Sequence, residues 1–367
     1  MNDLEFAAQL QTALLAWYDE RRRDLPWRRT RDPYAIWVSE VMLQQTRVET
    51  ATPYYERFLE AFPTVRDLAR AEEEQVLALW SGLGYYSRAR NLRAGAQAID
   101  DRHDGRFPHQ FDDALALPGV GPYTAAAVVS IAYGAPHAVV DGNVARVLAR
   151  LDRLDPPVDR GVRLQVLAQS LLSLARPGDF NQSMMELGAT VCTPLSPVCP
   201  TCPVSPWCRA YADGVVDRYP LQKRRPDPVD VPGTIVLVRD SQGRLLLERG
   251  RWRWLHSLWL PPILDRSTRG EGFEDLWATN RGGSLLSKHE VVSIAWLGQV
   301  SHTITHHRLR LDLLRVEVAS KWTPPTDEQT RWVEADGLAA VGRSGLLTKA
   351  LRLESAGQQP LLFGARP

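Results

Sequence analysis

At 367 residues the chain is too long for one compact core, which usually stops growing at roughly 250–300 residues, so two or three domains are expected. Its 44% apolar and 24% charged content, with 12 tryptophans, excludes disordered and fibrous classes. Forty-four basic against 43 acidic residues leave a formal charge of +1, so any surface for nucleic acid must be local rather than announced by the total.

The opening stretch, MNDLEFAAQLQTALLAWYDERRR, mixes acids into an amphipathic repeat with Phe6, Leu10, Leu14 and Trp17 on one stripe. It predicts a helix rather than an export signal. From residue 5 to about residue 212 the pattern stays helical, punctuated by LPW, AFP, SGLG, LPGVG and RPGD breakers. Within it, WVSEVMLQQT sets one carboxylate, Glu40, among Ile36, Trp37, Val38, Val41, Met42 and Leu43. A helix apolar nearly all round should be buried. Lost hydration raises the pKa of an acid there and keeps it protonated near neutral pH, although a buried Glu paired with an arginine reads the same way. Helical geometry sets Gln44 one turn ahead of Glu40 and turns Gln45 about 140° away.

Further on, Leu117-Pro-Gly-Val-Gly121 separates two apolar helical segments. The pattern looks like a helix-hairpin-helix, in which Gly119 and Gly121 let the backbone approach a phosphate and the next helix start offers amide donors. An ordinary helical hairpin uses glycines too. The small-apolar run from Thr124 to Val140 is broken by Gly134, Pro136 and His137 and falls short of the roughly 20 residues a membrane span needs. In HAVVDGNVARVLARL, Asp141 precedes a helix carrying Arg146 and Arg150, where capping is the simplest role for an isolated Asp.

Cys192, Cys199, Cys202 and Cys208 are all the cysteines in the chain, within 17 residues and spaced C-x6-C-x2-C-x5-C. In the reducing cytoplasm implied by the missing export signal, this predicts a metal site over disulfides; spacing alone does not separate zinc from an iron–sulfur cluster. Residues 214–232 carry four prolines and a basic KRR run, which predicts an extended linker between a helical region, 1–213, and a second domain, 233–367. That domain reads as β-rich: TIVLVRD, the turn SQG and RLLLER predict a hairpin, and Leu309 to Leu313 alternates with period two. No internal repeat appears, so solenoid architectures are excluded.

Taken together, LPWRRTRDPYAIWVSEVMLQQTRVET, SGLGYYSRARNL, LPGVGPYTA, VVDGNV, NQSMMELGA and the cysteine spacing resemble the MutY family of adenine DNA glycosylases, within the endonuclease III superfamily. The resemblance covers about residues 5–225 specifically and the rest more loosely. It implies an all-α helix-hairpin-helix glycosylase with an iron–sulfur loop, plus a C-terminal Nudix-like α+β domain, and it selects a [4Fe–4S] cluster on the four cysteines. The implied activity is removal of adenine mispaired with 8-oxoguanine or guanine in duplex DNA. Carried over residue by residue, Glu40 becomes the proton donor to adenine and Asp141 the stabiliser of the sugar cation, with Tyr123 and Asn143 close by. Trp27, Arg28 and Glu186 match the adenine pocket, and Gln45 and Tyr85 match residues that enter the DNA stack. The related bifunctional lyases use a lysine near Tyr123, whereas residues 1–222 contain none, which implies a monofunctional enzyme leaving an abasic site.

In the second domain, WRWLHSLWLPP and its flanks resemble the family's Nudix-like domain, while residues 263–283 lack the glutamate-dense helix of a Nudix hydrolase. That implies binding without hydrolysis. Where the family has an F-S-H triplet facing 8-oxoguanine, this chain has Val300-Ser301-His302, so Ser301 and His302 are candidate lesion contacts and the aromatic wedge is missing. His302, His306 and His307 have no cysteine or acid spacing that makes them a metal site. The expected state is a monomer, cytoplasmic and on the nucleoid when bound to DNA. Competing readings are a thymine or uracil mismatch glycosylase on the same scaffold and a non-enzymatic DNA-binding module with a zinc loop.

Overall fold

The computed structural model describes residues 3–154, 160–220, 226–249, 258–265, 290–319, 329–339 and 344–356, with positions 252, 254, 255, 341, 361 and 362 between and beyond them. Two compact units emerge: Met1–Ala71 with Arg90–Arg224, and Glu72–Ala89 with Arg225–Pro367. This departs from the expected boundaries in two ways. Glu72–Ala89, expected inside the helical region, belongs with the second unit, and the first strand of that unit starts at Val229, inside the expected 214–232 linker. Pairing explains the latter: Val229 to Arg239 lie in register beside His307 to Glu317, so the proline-containing stretch is ordered as strand.

The first unit is helical. Its elements are α1 (Asp3–Arg21), α2 (Pro33–Leu43), α3 (Val48–Ala61), α4 (Val65–Arg70), the bulk of α6 (Ser87–His103), α7 (Phe111–Leu115), α8 (Pro122–Tyr133), α9 (Gly142–Leu151), α10 (Arg160–Leu171), α11 (Pro177–Thr190) and α12 (Arg209–Ala212). Asp32 caps α2 by accepting from Tyr34 N, with Pro33 pre-set at the first helical position. As the apolar composition demands, α2 is buried from Tyr34 through Met42, and it packs on α8, buried from Thr124 through Ile131. The α1 stripe places Leu10 and Leu14 in a core with Val144, Val147 and Leu148 of α9 and Phe180 and Leu187 of α11. Tyr18 is buried as well, while Phe6 and Trp17 are only partly covered.

Between α7 and α8 the LPGVG turn is tight. Gly119 has φ +73°, and a Cβ there would lie 2.4 Å from Asn91 Cβ, so only glycine fits. Gly121 starts α8 at the cap position, with Pro122 next, and its own would-be Cβ meets open space.

In the second unit, α5 (Glu73–Leu79) accompanies a mixed sheet of order β3-β2-β1-β6-β5-β8, with β4 on β1 and β7 on β2. The strands are β1 (Val229–Arg239), β2 (Leu245–Arg249), β3 (Trp259–Leu260), β4 (Ile263–Leu264), β5 (Val291–Ile304), β6 (His307–Val318), β7 (Thr330–Val333) and β8 (Leu361–Leu362), and α13 (Gly345–Ser355) packs on β5. The expected β1–β2 hairpin forms, with Asp240 accepting from Gln242 N and Arg244 N in the turn. In the alternating run, Leu309, Leu311 and Leu313 are buried and Arg310 is exposed, but Asp312 breaks the pattern. It is fully buried and accepts from Gln299 Nε2 at 3.3 Å. The stretch expected to lack a Nudix acid helix lies, beyond Asp265, outside the described residues. Among the described residues no helix is long and apolar enough to cross a membrane.

Candidate active site

Two acids from different elements of the first unit dominate the site. Glu40, in the middle of α2, is 5% exposed, and its Oε2 accepts from Tyr123 Oη at 2.6 Å. Tyr123 stands on the first turn of α8, with Met185 Sδ 3.3 Å from its hydroxyl, so the glycine hairpin fixes where this phenol points. Burial raises the Glu40 carboxyl to about 7; the Tyr123 hydrogen bond pulls it down, the Asp141 charge raises it, and Arg28 lowers it again. Burial and the neighbouring Glu40 likewise push the Tyr123 phenol well above 10. The arginine-paired explanation of Glu40 therefore gives way: its carboxyl accepts a hydrogen bond from the neutral phenol of Tyr123.

Asp141 does cap α9, accepting from Val144 N at 2.7 Å, and its other oxygen accepts from Asn143 Nδ2 at 3.0 Å. Burial still lifts its carboxyl above the ordinary range, against those hydrogen bonds and Arg146. Capping fixes this carboxylate, because it is oriented by backbone and cannot swing away. Behind it, Arg146 donates to Asn143 Oδ1 (2.8 Å), the Gly188 carbonyl (2.7 Å) and the Cys192 carbonyl (2.8 Å), so Asn143 is held from both ends.

A second buried acid has the opposite character. Glu186 on α11 is 1% exposed and accepts from Arg23 Nε, Arg23 Nη2 and Arg28 Nη2, each at 2.8 Å, and from Arg23 N at 3.0 Å. Burial alone would raise its pKa, but the Arg23 and Arg28 hydrogen bonds outweigh burial and hold it at about 2. It is permanently charged where Glu40 is poised. Arg23 escaped the sequence reading, because it lies 163 residues from its partner and sits in an unremarked arginine run. Trp27 is buried and meets Tyr55 edge-on with centroids 5.4 Å apart.

The structure revises the glutamines. Helix α2 stops at Leu43, so the helical projection that turned Gln45 away from Glu40 does not apply. Gln44 Nε2 reaches Thr124 Oγ1 at 3.4 Å, and Gln45 is exposed with φ +57°. Tyr85, in the second unit, is 47% exposed with φ +49°. Left-handed backbone at two exposed non-glycine residues is strain that persists only where the surroundings impose it. Also in the second unit, Ser301 is exposed and His302 half-buried; burial and the charge of Lys349 lower the His302 pKa. Val300 is 4% exposed, paired with Leu311, so it belongs to the sheet core and presents no wedge, small or large.

All four cysteines are free thiols that line one hollow with Val147, Arg150, Leu151, Leu187, Val191 and Val204. Arg150, 2% exposed, donates to Cys192 Sγ at 3.3 Å and to the Thr193 and Tyr219 carbonyls at 2.8 and 2.9 Å. Burial pushes Cys202 up to about 12, so as a bare thiol this side chain is a poor nucleophile. Among the described residues no three His, Cys, Asp or Glu side chains close around a single ion position. Four thiols around one hollow are a donor set that fits a thiolate-bound metal ion or cluster.

The Tyr123 bond gives a first testable consequence. Because it stabilises the Glu40 anion, Tyr123→Phe should raise the Glu40 pKa further above about 7. If Glu40 acts as an acid, the alkaline limb of the single-turnover pH–rate profile moves to higher pH in that variant; an unmoved limb would mean another group titrates there.

Residues 38–167 match the HhH-GPD superfamily base excision DNA repair protein family. The chain is 50% identical over 220 residues to an adenine DNA glycosylase of Homo sapiens, an overlap of 57% of this chain and 40% of that protein. The chain thus spans well under half the length of that relative. A shorter adenine DNA glycosylase, from Buchnera aphidicola subsp. Baizongia pistaciae, is 32% identical over 250 residues, 66% of this chain and 71% of that protein. A solved thermostable thymine-DNA glycosylase superposes on 57% of this chain and 98% of its own with TM-score 0.53 and 30% identity. The family match at residues 38–167 contains Glu40, Tyr123 and Asp141, and the chain belongs to the adenine DNA glycosylase family.

Proposed function

We propose that the chain is a monofunctional DNA glycosylase that hydrolyses the N-glycosidic bond of adenine opposite 8-oxoguanine or guanine in duplex DNA and leaves an abasic site. One observation carries this reading: a buried carboxyl held at about 7 by burial, on a phenol hydrogen bond, within electrostatic reach of a second, helix-capping carboxylate. Such a pair suits departure of a base from a sugar cation, a reaction that needs a proton on one side and a negative charge on the other.

Adenine first leaves the stack, since the bond to be cut is out of reach of side chains inside a duplex. Glu40 gives its proton to a ring nitrogen of adenine, N7 by the family resemblance. The C1′–N9 electron pair departs with the base, and the positive charge left on the sugar faces Asp141. Asp141 stabilises it electrostatically or through a transient ester. Water then adds at C1′, and its proton returns to a carboxylate of the site. Asn143, fixed by Arg146, keeps Asp141 aimed, while Arg28 and Trp27 form the wall of the adenine pocket with Glu186 as counter-ion to Arg28.

The cysteine hollow is read as the seat of a [4Fe–4S] cluster on Cys192, Cys199, Cys202 and Cys208, which supplies a rigid cross-link for the loop after α11. The second unit is read as a Nudix-like lesion reader that contacts 8-oxoguanine through Ser301 and His302, and the enzyme as a monomer on duplex DNA. Gly119 and Gly121 place backbone amides toward a phosphate, and Gln45 and Tyr85 fill the stack.

Single-turnover base release from duplexes carrying adenine, thymine or uracil opposite 8-oxoguanine or guanine tests the reading. Adenine release opposite 8-oxoguanine is expected to be fastest, with no borohydride-trapped adduct. Preferred thymine release would move the chain to the thymine mismatch class, and strong trapping would make it a lyase.

A further inference from the structure

The segment Glu72–Ala89 lies in sequence between α4 and the body of α6 yet belongs to the compact unit built on the sheet. Its root is the first turn of α5, where three consecutive carboxylates, Glu72, Glu73 and Glu74, follow one another. Two of them are taken up by three neighbouring strands. Trp259 Nε1 on β3 donates to Glu74 Oε1 at 2.8 Å, and Arg331 Nη1 on β7 lies 3.4 Å from Glu74 Oε2. The Arg331 guanidinium also stacks 4.0 Å above the Trp259 ring, and Arg249 on β2 bonds Glu73 Oε1. Since β2 is paired to both β3 and β7, the three donors come from one patch of sheet.

The far end of the segment is a preformed loop. Trp80, fully buried, donates through Nε1 to the Gly84 carbonyl at 3.1 Å, and Arg88 Nη2 donates to the carbonyls of Leu83 and Gly84 at 3.3 and 3.2 Å. The Arg88 guanidinium lies 5.4 Å from the Trp80 ring and 5.6 Å from the Tyr85 ring. Thus Tyr85 is held outward in a left-handed conformation by a packed base, and that base is continuous through a two-turn helix with the acid turn on the sheet. A short helix has little stability of its own, so its orientation is set by what grips its ends.

We propose that Glu73 and Glu74 are positioning residues, forming a latch that fixes the Tyr85 loop to the lesion-reading sheet so that the stacking tyrosine and the Ser301–His302 strand move as one body. Discrimination between 8-oxoguanine and guanine then depends on the latch, although neither acid touches DNA. The functional half of this inference rests on the reading of Tyr85 and Ser301–His302 given above; the mechanical half does not.

The test is a double-mutant cycle on the full chain with Glu74→Ala, Arg331→Ala and the pair, with Trp259→Phe as a milder variant that removes the indole donor and keeps a ring beneath Arg331. Amide hydrogen exchange over residues 80–88 reads the latch, and the ratio of single-turnover adenine release opposite 8-oxoguanine to that opposite guanine reads its use. Each single substitution is expected to speed exchange and lower the ratio by roughly tenfold, the size of losing a hydrogen bond to a charged group. The double variant should be no worse than the worse single one. Unchanged exchange in the single variants, or effects that multiply in the pair, would overturn the latch. Faster exchange with an unchanged ratio would overturn its role in discrimination. Absence of adenine release from the parent protein would count against the proposed activity and leave the exchange result standing.

Discussion

Glu40→Gln is expected to slow adenine release by about 10³- to 10⁴-fold in single turnover while duplex binding is retained, the upper range for loss of a general acid. The amide keeps the shape of the carboxyl and can accept from Tyr123, so the pocket stays packed and only the transferable proton is lost. The same variant should be more stable than its parent in alkaline solution. Burial holds the Glu40 pKa at about 7 against an ordinary value of 4.5, so between those values the folded protein binds a proton that the unfolded chain has released. Stability linked to this group is therefore complete below about pH 4.5 and falls as pH rises through about 7. At about pH 8 the parent carries a penalty on the order of 3 kcal/mol that the amide avoids, and at about pH 4 the two should unfold alike. Urea titrations at the two pH values measure this. A Glu40→Gln protein less stable than the parent at the higher pH would show that the anion has a structural role and that the acid assignment is wrong.

Asp141→Asn is expected to reduce release by about 10²- to 10³-fold, the scale of removing one oriented electrostatic partner from a reacting centre. Asparagine caps helices as well as aspartate does, so α9 should persist. It cannot satisfy both existing donors, however, since Val144 N–H and Asn143 Nδ2 each now face an oxygen. A stability loss of about 1 kcal/mol follows from one orphaned donor. The variant also reports on Glu40. The Asp141 charge contributes to raising the Glu40 pKa, so its removal should shift the alkaline limb of the residual pH–rate profile to lower pH, opposite to Tyr123→Phe. If both variants move the limb the same way, the two groups do not act on one acid.

The helical half was largely legible because its signals are local. The burial of α2 follows from side chains apolar on every face, and the LPGVG turn follows from a glycine position that no Cβ can occupy. Asp141 was legible as a cap, which the structure shows, and through resemblance as a chemical group. What escaped depends on partners distant in sequence or on where a helix ends. The Arg23 grip on Glu186 spans 163 residues, and nothing in an arginine run marks which member turns inward. The α2 terminus at Leu43 removes the geometric argument about Gln45, because beyond the last helical turn the projection no longer holds. The sequence marks only the missing aromatic at Val300; strand alternation puts this residue on the buried face beside Leu311 while Ser301 faces out. Likewise the attachment of Glu72–Ala89 to the sheet unit rests on side-chain donors from three strands, which no helical periodicity could reveal.

Glu186 has a consequence beyond its own ion pairs. Arg28 is close enough to lower the pKa of Glu40, and an unoccupied guanidinium in that position would favour loss of the Glu40 proton. By engaging Arg28 through Nη2, and by being itself ionised far below neutrality, Glu186 acts as a decoy anion. The site thereby holds a cation near the acid without letting it discharge that acid. Two carboxyls of nearly the same chemistry end up in opposite protonation states, separated by which of them the arginines can reach.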